Sequence, residues 1–348
     1  MSAVYAEGVD AGVPAHYGDP MAEQRLLTER AGLVDRSNRG VVAVSGPDRL
    51  SWLHDITTQY LRELAPYQGT EILVLSPHGH VEHHAVAVDD GETLWLDTEP
   101  GRAPALLDFL EKMRFFARVE LRDATDEMAV CSVVGPEAVA ALGMELAEPD
   151  VIDVPGPKFP SGSVPARPTV RYAATASPDG GIARRMSYGV DLLVPRSQVA
   201  RLVDHLGLPR AGIAAFEATR VVSGIPRLGL DTDHRTLPHE VGWIAPAVHL
   251  EKGCYRGQET VARVHNLGRP PRRLVLVHLD GVSEELPSPG SEVKLDGRTV
   301  GFLGTAVRHY EWGAIALAVV KRSVPDDARL MVGDTAVAID SEPTRLVD

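Results

Sequence analysis

Two cysteines in 348 residues, Cys131 and Cys254, are too few for a disulfide-stapled module, and they form neither a C-x-x-C pair nor zinc-finger spacing. Both are expected to be free thiols in a reducing compartment. Long apolar runs are missing as well: nowhere do about 18 consecutive apolar residues occur. The N-terminus carries Glu7, Asp10 and Asp19 around no apolar core, so it does not read as a signal peptide. A soluble, cytoplasmic protein without membrane contact is the expectation. Positive charge is also short. A formal net charge of -13 disfavours general nucleic-acid binding, and an RNA partner would require a local basic patch. Neither G-x-G-x-x-G nor G-x-x-x-x-G-K-[ST] is present, which removes the main evidence for a nucleotide-binding fold.

The chain is long enough for two or three structural units. Residues 1–20 show no period and read as a flexible or draped arm, and 21–34 as a short helix, giving an N-terminal segment of residues 1–32. The run Gly40–Ser45 is a buried-type strand, and Pro47-Asp48 opens a helix carrying Leu50, Trp52, Leu53 and Ile56. Strands are expected at 71–75, 81–88, 93–96, 119–123, 128–134, 169–174 and 189–194, with helices at 104–115, from 135, at 195–206 and at 213–222. Five prolines between 155 and 168 mark a long loop. From Arg273 the texture changes to short strands at 274–279, 292–295, 300–309, 314–320, 329–332 and 336–339. Asp296-Gly297 is the hairpin signal among them, and together they read as a six-strand barrel spanning 271–348. The alternation between these ends is α+β with hairpins, not a regular parallel series.

The densest chemistry lies in Lys252-Gly253-Cys254-Tyr255-Arg256-Gly257-Gln258-Glu259, continuing Thr260-Val261-Ala262-Arg263. Cations flank the thiol at Lys252 and Arg256, and the residues C-terminal to it read as the first turn of a helix; both features favour the thiolate, which is the nucleophile and metal ligand. Gly253 and Gly257 allow a sharp turn or close approach, and Glu259 with Arg263 is an i,i+4 pair. A half-buried loop cysteine in a glycine-rich turn is the plainer alternative.

This run resembles the motif of the YgfZ family of folate-binding proteins, K-G-C-Y-x-G-Q-E followed by V-A-R, with every fixed position present. The resemblance covers about residues 33–345. It implies kinship with the T-protein of the glycine cleavage system, a tetrahydrofolate-dependent aminomethyltransferase. It also implies a three-lobed architecture: two interleaved, ferredoxin-like α+β units over 33–270 and the C-terminal barrel, closed around a folate channel. The family further implies a role in iron–sulfur cluster assembly or repair, with Cys254 as the essential thiol and client enzymes or assembly proteins as partners. The alternative is a tetrahydrofolate-dependent aminomethyltransferase or demethylase.

Carried over position by position, the family's pterin-holding acid falls on Asp191 in Tyr188-Gly189-Val190-Asp191, one methylene shorter than the family's glutamate. A carboxylate suits the donor pair of a pterin. The family's folate arginine falls on Arg220, and Phe216, one helical turn earlier, stands where a stacking tryptophan is found; a core phenylalanine is its other reading. The transferase aspartates of G-G-x-x-D-D match Gly79-His80-Val81-Glu82-His83-His84, so His83 and His84 replace the acidic pair and the proton-handling carboxylate is missing. If strand-like, His78, His80, Glu82 and His84 share a face, but no further ligand is apparent and no metal is assigned. Cys131 reads as core. Arg263, His265, Arg269, Arg272 and Arg273 form a basic stretch suited to a polyglutamyl tail, an RNA or an acidic partner, or serve as a solvated linker.

Overall fold

The strand Met128–Val134 is buried at every position, and its neighbours are as apolar as its sequence demands. It pairs antiparallel with Gly32–Asp35 on one side and Gly189–Pro195 on the other. Ile182–Met186 and Thr169–Ala176 extend the half-sheet outward, and Arg210–Ala211 pairs parallel to Gly32–Asp35 at the opposite edge. A second half-sheet runs Gln68–Leu75, Val81–Asp89, Thr93–Thr98, Gly40–Ser45 and Glu120–Asp123. This computed structural model describes residues 3–152, 162–164, 169–282 and 285–341.

Residues 40–123 are thus inserted between Gly32–Asp35 and Met128–Val134, which makes the two α+β units interleave. They join through a short seam, Tyr172 opposite Gly69 and Ala173 opposite Gln68, into one sheet of twelve strands among the described residues. The barrel is closed, in the order 272–279, 313–321, 298–309, 292–295, 329–332 and 335–339, the last returning to the first. Its two-residue turn has Asp296 and Gly297 both at positive φ, 49° and 76°, as a right-twisting hairpin requires.

Two expectations are corrected, and one strand is added. The segment 21–34 is not one helix: Pro20–Glu29 is helical, and Gly32–Asp35 is a strand. Asp19 caps that helix by accepting from the Met21 and Ala22 amides at 3.0 and 3.1 Å, with Pro20 in the first turn. A Cβ on Gly32 would stand 2.7 Å from the Leu27 side chain, so the chain turns back tightly on its own helix. Residues 3–20 are not loosely draped. Val4–Tyr5 and Pro14–His16 pair, and Asp10 between them forms a two-point ion pair with Arg227 at 2.8 and 3.0 Å. The strand Ile182–Met186 was unexpected because Arg184 and Arg185 mask it; Arg184 is buried and held by Asp97 and Asp191. Most of the proline-rich stretch 155–168 lies outside the described residues.

Candidate functional site

Where the two half-sheets meet, a cavity of about 660 Å³, part of it open to solvent, is lined from four directions. The inserted unit contributes Glu71, His84 and Glu99; the split unit contributes Arg36, Arg39, Tyr172 and Tyr188. Helix Ile213–Val222 and the loop after it contribute Phe216, Glu217, Arg220 and Arg227, and the N-terminal hairpin contributes Asp10.

The wall is an arginine–carboxylate lattice. Arg39 binds Asp97 and Glu99 at 2.8 and 3.0 Å, and Arg227 binds Glu99 and Glu217 at 2.7 and 3.1 Å besides Asp10. Arg220 donates to Glu217 at 2.6 and 3.0 Å, to Asp231 at 2.8 Å and to the Ile225 carbonyl at 2.5 Å. Burial pushes the Glu99 carboxyl up, but Arg227 and Arg39 override it and hold it well below the usual carboxylate range. The barrel buttresses this lattice from outside, the Thr305 amide donating to Asp231 at 2.6 Å.

Of the residues expected to contact folate, Phe216 and Arg220 line the cavity. Phe216 is 4% exposed, with the Arg36 guanidinium 4.2 Å above its ring and Tyr188 edge-on at 5.2 Å, so it serves both the core and the wall. Asp191 does not line the cavity. Its carboxylate accepts from Ser132 at 2.6 Å, Tyr188 at 2.9 Å, Arg184 at 2.9 Å and Arg36 at 3.2 Å, leaving little capacity for a ligand. It instead orients Arg36 and Tyr188 from behind.

The histidine run does not share one face. Val81 opposes Leu75 and His83 opposes Val74, so Glu82 is an extra, bulged residue, and the strand begins only at Val81. His78 and His80 lie in the preceding turn, and His83 faces Phe109, its ring pair 5.9 Å apart. Burial, with Arg102 and Arg256 nearby, lowers the His83 pKa to about 4. His84 alone enters the cavity. Its Nε2 is 2.8 Å from Glu71, whose other oxygen accepts from the Tyr172 hydroxyl at 2.6 Å, and its ring stacks on the buried Trp243 at 4.9 Å. The aspartate pair is absent, as the sequence shows, but a carboxylate does stand beside His84 at the cavity. Glu71 supplies it from the adjacent strand, where the sequence showed only a strand's first residue.

The motif loop lies apart from this wall and rests on the turn Ser76–His80. Lys252 is buried, its ammonium donating to the carbonyls of His54, Thr57 and Gln59 at the end of helix Arg49–Ile56. Burial lowers its pKa to about 8. Arg256 pairs with Glu82 at 3.3 Å and lies over the Phe109 ring. Neither cation is thus committed to the thiol, contrary to expectation. Tyr255 is buried beside Lys252, and Gln258 donates to the Lys252 carbonyl at 3.2 Å. Gly257 has φ +83°, and a Cβ there would meet the Ser76 carbonyl at 2.6 Å. Helix Gln258–Leu267 comes next, as expected, but Glu259 and Arg263 are exposed and form no ion pair with each other among the described residues. Cys254 is exposed, and so is Gly253. Cys131 is buried, and burial pushes its thiol up to about 12.

The downstream basic stretch divides. Arg272 is held by Asp233 and Glu240 at 2.7 Å each, and Arg273 is fully buried against Asp326, Ser163 and the Val324 carbonyl. Arg263 and Arg269 are exposed.

Residues 2–252 match the family model of the GCVT N-terminal domain. The chain is 30% identical over 307 residues to the tRNA-modifying protein YgfZ of Edwardsiella ictaluri, covering 85% of this chain and 86% of that one. It is 27% identical over 346 residues to the aminomethyltransferase of Rubrobacter xylanophilus, covering 96% and 87%. A putative chloroplast transferase of Arabidopsis thaliana is 29% identical over 272 residues, 78% of this chain, which spans 60% of that relative's length. In fold the chain is similar to the glycine cleavage system aminomethyltransferase T of Bartonella henselae, with a TM-score of 0.78, 17% identity and coverage of 99% and 95%. No helix among the described residues is long and apolar enough to cross a membrane.

Proposed function

This chain belongs to the GCVT-domain family that includes the YgfZ proteins, and from that membership we propose that it binds a reduced folate in the arginine-lined cavity and serves iron–sulfur cluster assembly or repair through Cys254. The observation that carries this reading is a division of labour within the motif. Lys252, Tyr255, Gly257 and Gln258 each have a packing or hydrogen-bonding role, whereas Cys254 is an exposed thiol on a loop that those neighbours hold in place. A residue kept exposed on such a support suits exchange with a partner: transient cluster ligation, redox exchange or attack on a bound group. Such an exposed free thiol also suits a reducing compartment such as the cytoplasm.

The wall fits a folate by its chemistry: Phe216 and Tyr188 offer aromatic faces, Arg36 offers a partner for a carboxylate tail, and Glu99 and Glu217, held ionised by Arg39, Arg227 and Arg220, present negative charge to the pterin's amino and ring N–H groups. Bound folate would supply a carrier for a one-carbon unit. Phe216 and Arg36 would position it, and the hairpin with Asp10 would restrict water.

Deletion of the gene, with assays of several iron–sulfur enzymes and rescue by Cys254→Ala, tests the thiol. Loss of those activities with no rescue is expected; full rescue refutes the role. Calorimetry with tetrahydrofolate tests the cavity, and Arg220→Ala is expected to weaken binding by roughly 1–3 kcal/mol. A second reading, a folate-dependent aminomethyl or methyl transferase, is favoured by the carboxylate that Glu71 brings to His84. Turnover of such a donor with tetrahydrofolate, unchanged in Cys254→Ser, would establish it in place of the first.

A further inference from the structure

The half-sheet around Met128–Val134 carries a second hollow on the face turned away from the arginine-lined cavity. Side chains of the strand Gly32–Asp35 alternate: Val34 packs with Phe216 on the cavity side, so Leu33 and Asp35 face the other way. Strand register extends that outer face over three strands. Arg210 stands opposite Leu33 on the edge strand, and Cys131 stands opposite Asp35 on the next strand inward. The N-terminal hairpin adds Tyr5 and Pro14 to the lining, Tyr17 follows just after it, and helix Val199–Leu206 adds Val203. The hollow measures about 580 Å³, part of it open to solvent, and shares no lining residue with the arginine-lined cavity.

Two charged groups face each other here without pairing. Asp35 accepts the Ser37 amide at 2.9 Å on one oxygen, and neither Asp35 nor Arg210 forms an ion pair among the described residues. They stand on adjacent strands, two residues out of register, which sets their Cα atoms roughly 8 Å apart and their side chains within reach of one another. The Arg210 guanidinium lies instead over the Tyr17 ring, 5.9 Å from its centroid. Burial, and then the Asp35 charge, raise the Tyr17 pKa, so its phenol stays neutral beside them. A carboxylate and a guanidinium are thus held apart on one concave face, between two phenol rings and over the hydrocarbon of Leu33 and Val203.

We propose that this pocket binds a small zwitterion with an aromatic or branched apolar body, an α-amino acid being the simplest case. Asp35 takes the ammonium, Arg210 takes the carboxylate, and Tyr5 and Tyr17 take the apolar body. A cation alone leaves Arg210 unmatched, and an anion alone meets Asp35 as a like charge. No bond is made or broken, and the site is independent of the folate reading.

The test uses three probes that share a phenyl ring: L-phenylalanine, phenethylamine with only the cation, and 3-phenylpropionate with only the anion. Their dissociation constants are measured by calorimetry on the full chain. L-Phenylalanine is expected to bind at least ~10-fold more tightly than either single-charge probe, since each charged contact it adds is a charge-assisted hydrogen bond. Asp35→Asn keeps the acceptor for the Ser37 amide and removes the charge; it should weaken L-phenylalanine and phenethylamine at least ~10-fold without weakening 3-phenylpropionate. Arg210→Gln should do the reverse, weakening L-phenylalanine and 3-phenylpropionate and sparing phenethylamine. Arg210 is exposed, so this variant decides the matter even where Asp35→Asn fails to fold. Three equal affinities, wild-type affinities retained in Arg210→Gln, or no heat from any probe up to about 10 mM overturn the inference.

Discussion

Gly257→Ala is expected to destabilise the motif loop far more than Gly253→Ala, although both glycines lie close to Cys254 in the chain. At Gly257 the backbone is left-handed, φ +83°, which costs an L-residue roughly 1–2 kcal/mol. The added methyl would meet the Ser76 carbonyl at 2.6 Å and Gly79 Cα at 2.9 Å, and neither is the free end of a side chain. Gly79 has no room to retreat: its own φ is +80°, and its Cβ position lies 2.8 Å from Thr260. Overpacking against such a surface adds about 1–3 kcal/mol, so the total falls near 2–5 kcal/mol. At Gly253 nothing stands within 4 Å of the Cβ position and φ is not left-handed, so a change within about 0.5 kcal/mol is expected. Urea titration of both variants gives the comparison. Amide exchange then localises it, through the Gly79 amide on the Ser76 carbonyl and the Val81 amide on the Thr236 carbonyl, both at 2.9 Å. An unchanged midpoint and unchanged protection at those amides in Gly257→Ala would refute the interlocked-turn argument.

Four further outcomes are expected. At pH 8 a maleimide should modify one thiol, Cys254, and a second, Cys131, only after unfolding, because burial pushes the Cys131 thiol up to about 12; rapid double labelling of the native protein would contradict this. Lys252→Ala should cost about 1–3 kcal/mol by leaving the helix-end carbonyls it serves without a donor, read by urea titration. Stability should fall with acid. Burial lowers His83 to about 4 and His239 to about 3, below the ordinary 6.5, so the unfolded chain binds more protons, and stability present above pH 6.5 is lost as pH falls. With both groups contributing, the slope approaches roughly 2–3 kcal/mol per pH unit between about pH 6 and 4.5, and a flat profile there would count against it. Asp10→Ala should speed both entry and exit of tetrahydrofolate in stopped-flow, since it removes the hairpin's tie to Arg227; unchanged rates would show that the hairpin does not restrict the cavity.

The strands that periodicity revealed are those whose burial is apolar. Met128–Val134, Gly189–Pro195 and the barrel strands announce themselves because most of their inward side chains are hydrocarbon. Where burial is achieved by charge, the pattern is silent. Ile182–Met186 looks polar until Asp97, 87 positions before Arg184, is seen to neutralise it, and Asp10 looks solvated until Arg227 is placed beside it. The same cause hid the cavity's chemistry. Phe216 and Arg220 were legible from a motif on one helix, whereas the Glu71–His84–Tyr172 cluster depends on strand pairings far apart in sequence. Asp191 shows the converse: its position matched a ligand-holding acid, but four donors already surround it. The motif's basic residues flank the thiol in sequence, yet their heads lie elsewhere because helix-end carbonyls and Glu82 are better partners.

The bulge at Glu82 ties the two sites together. On its N-terminal side the chain is clasped by the motif loop, through Gly79 against Gly257 and Thr260; on its C-terminal side His84 belongs to the cavity. Successive strand residues face opposite ways, so the count of residues between clasp and cavity determines which imidazole looks inward. Glu82 stands outside that count, because Leu75 faces Val81 and Val74 faces His83 on either side of it. Deleting it would straighten the strand and keep His84 in the cavity, while removing the carboxylate that holds Arg256 and so one tie between this strand and the thiol loop.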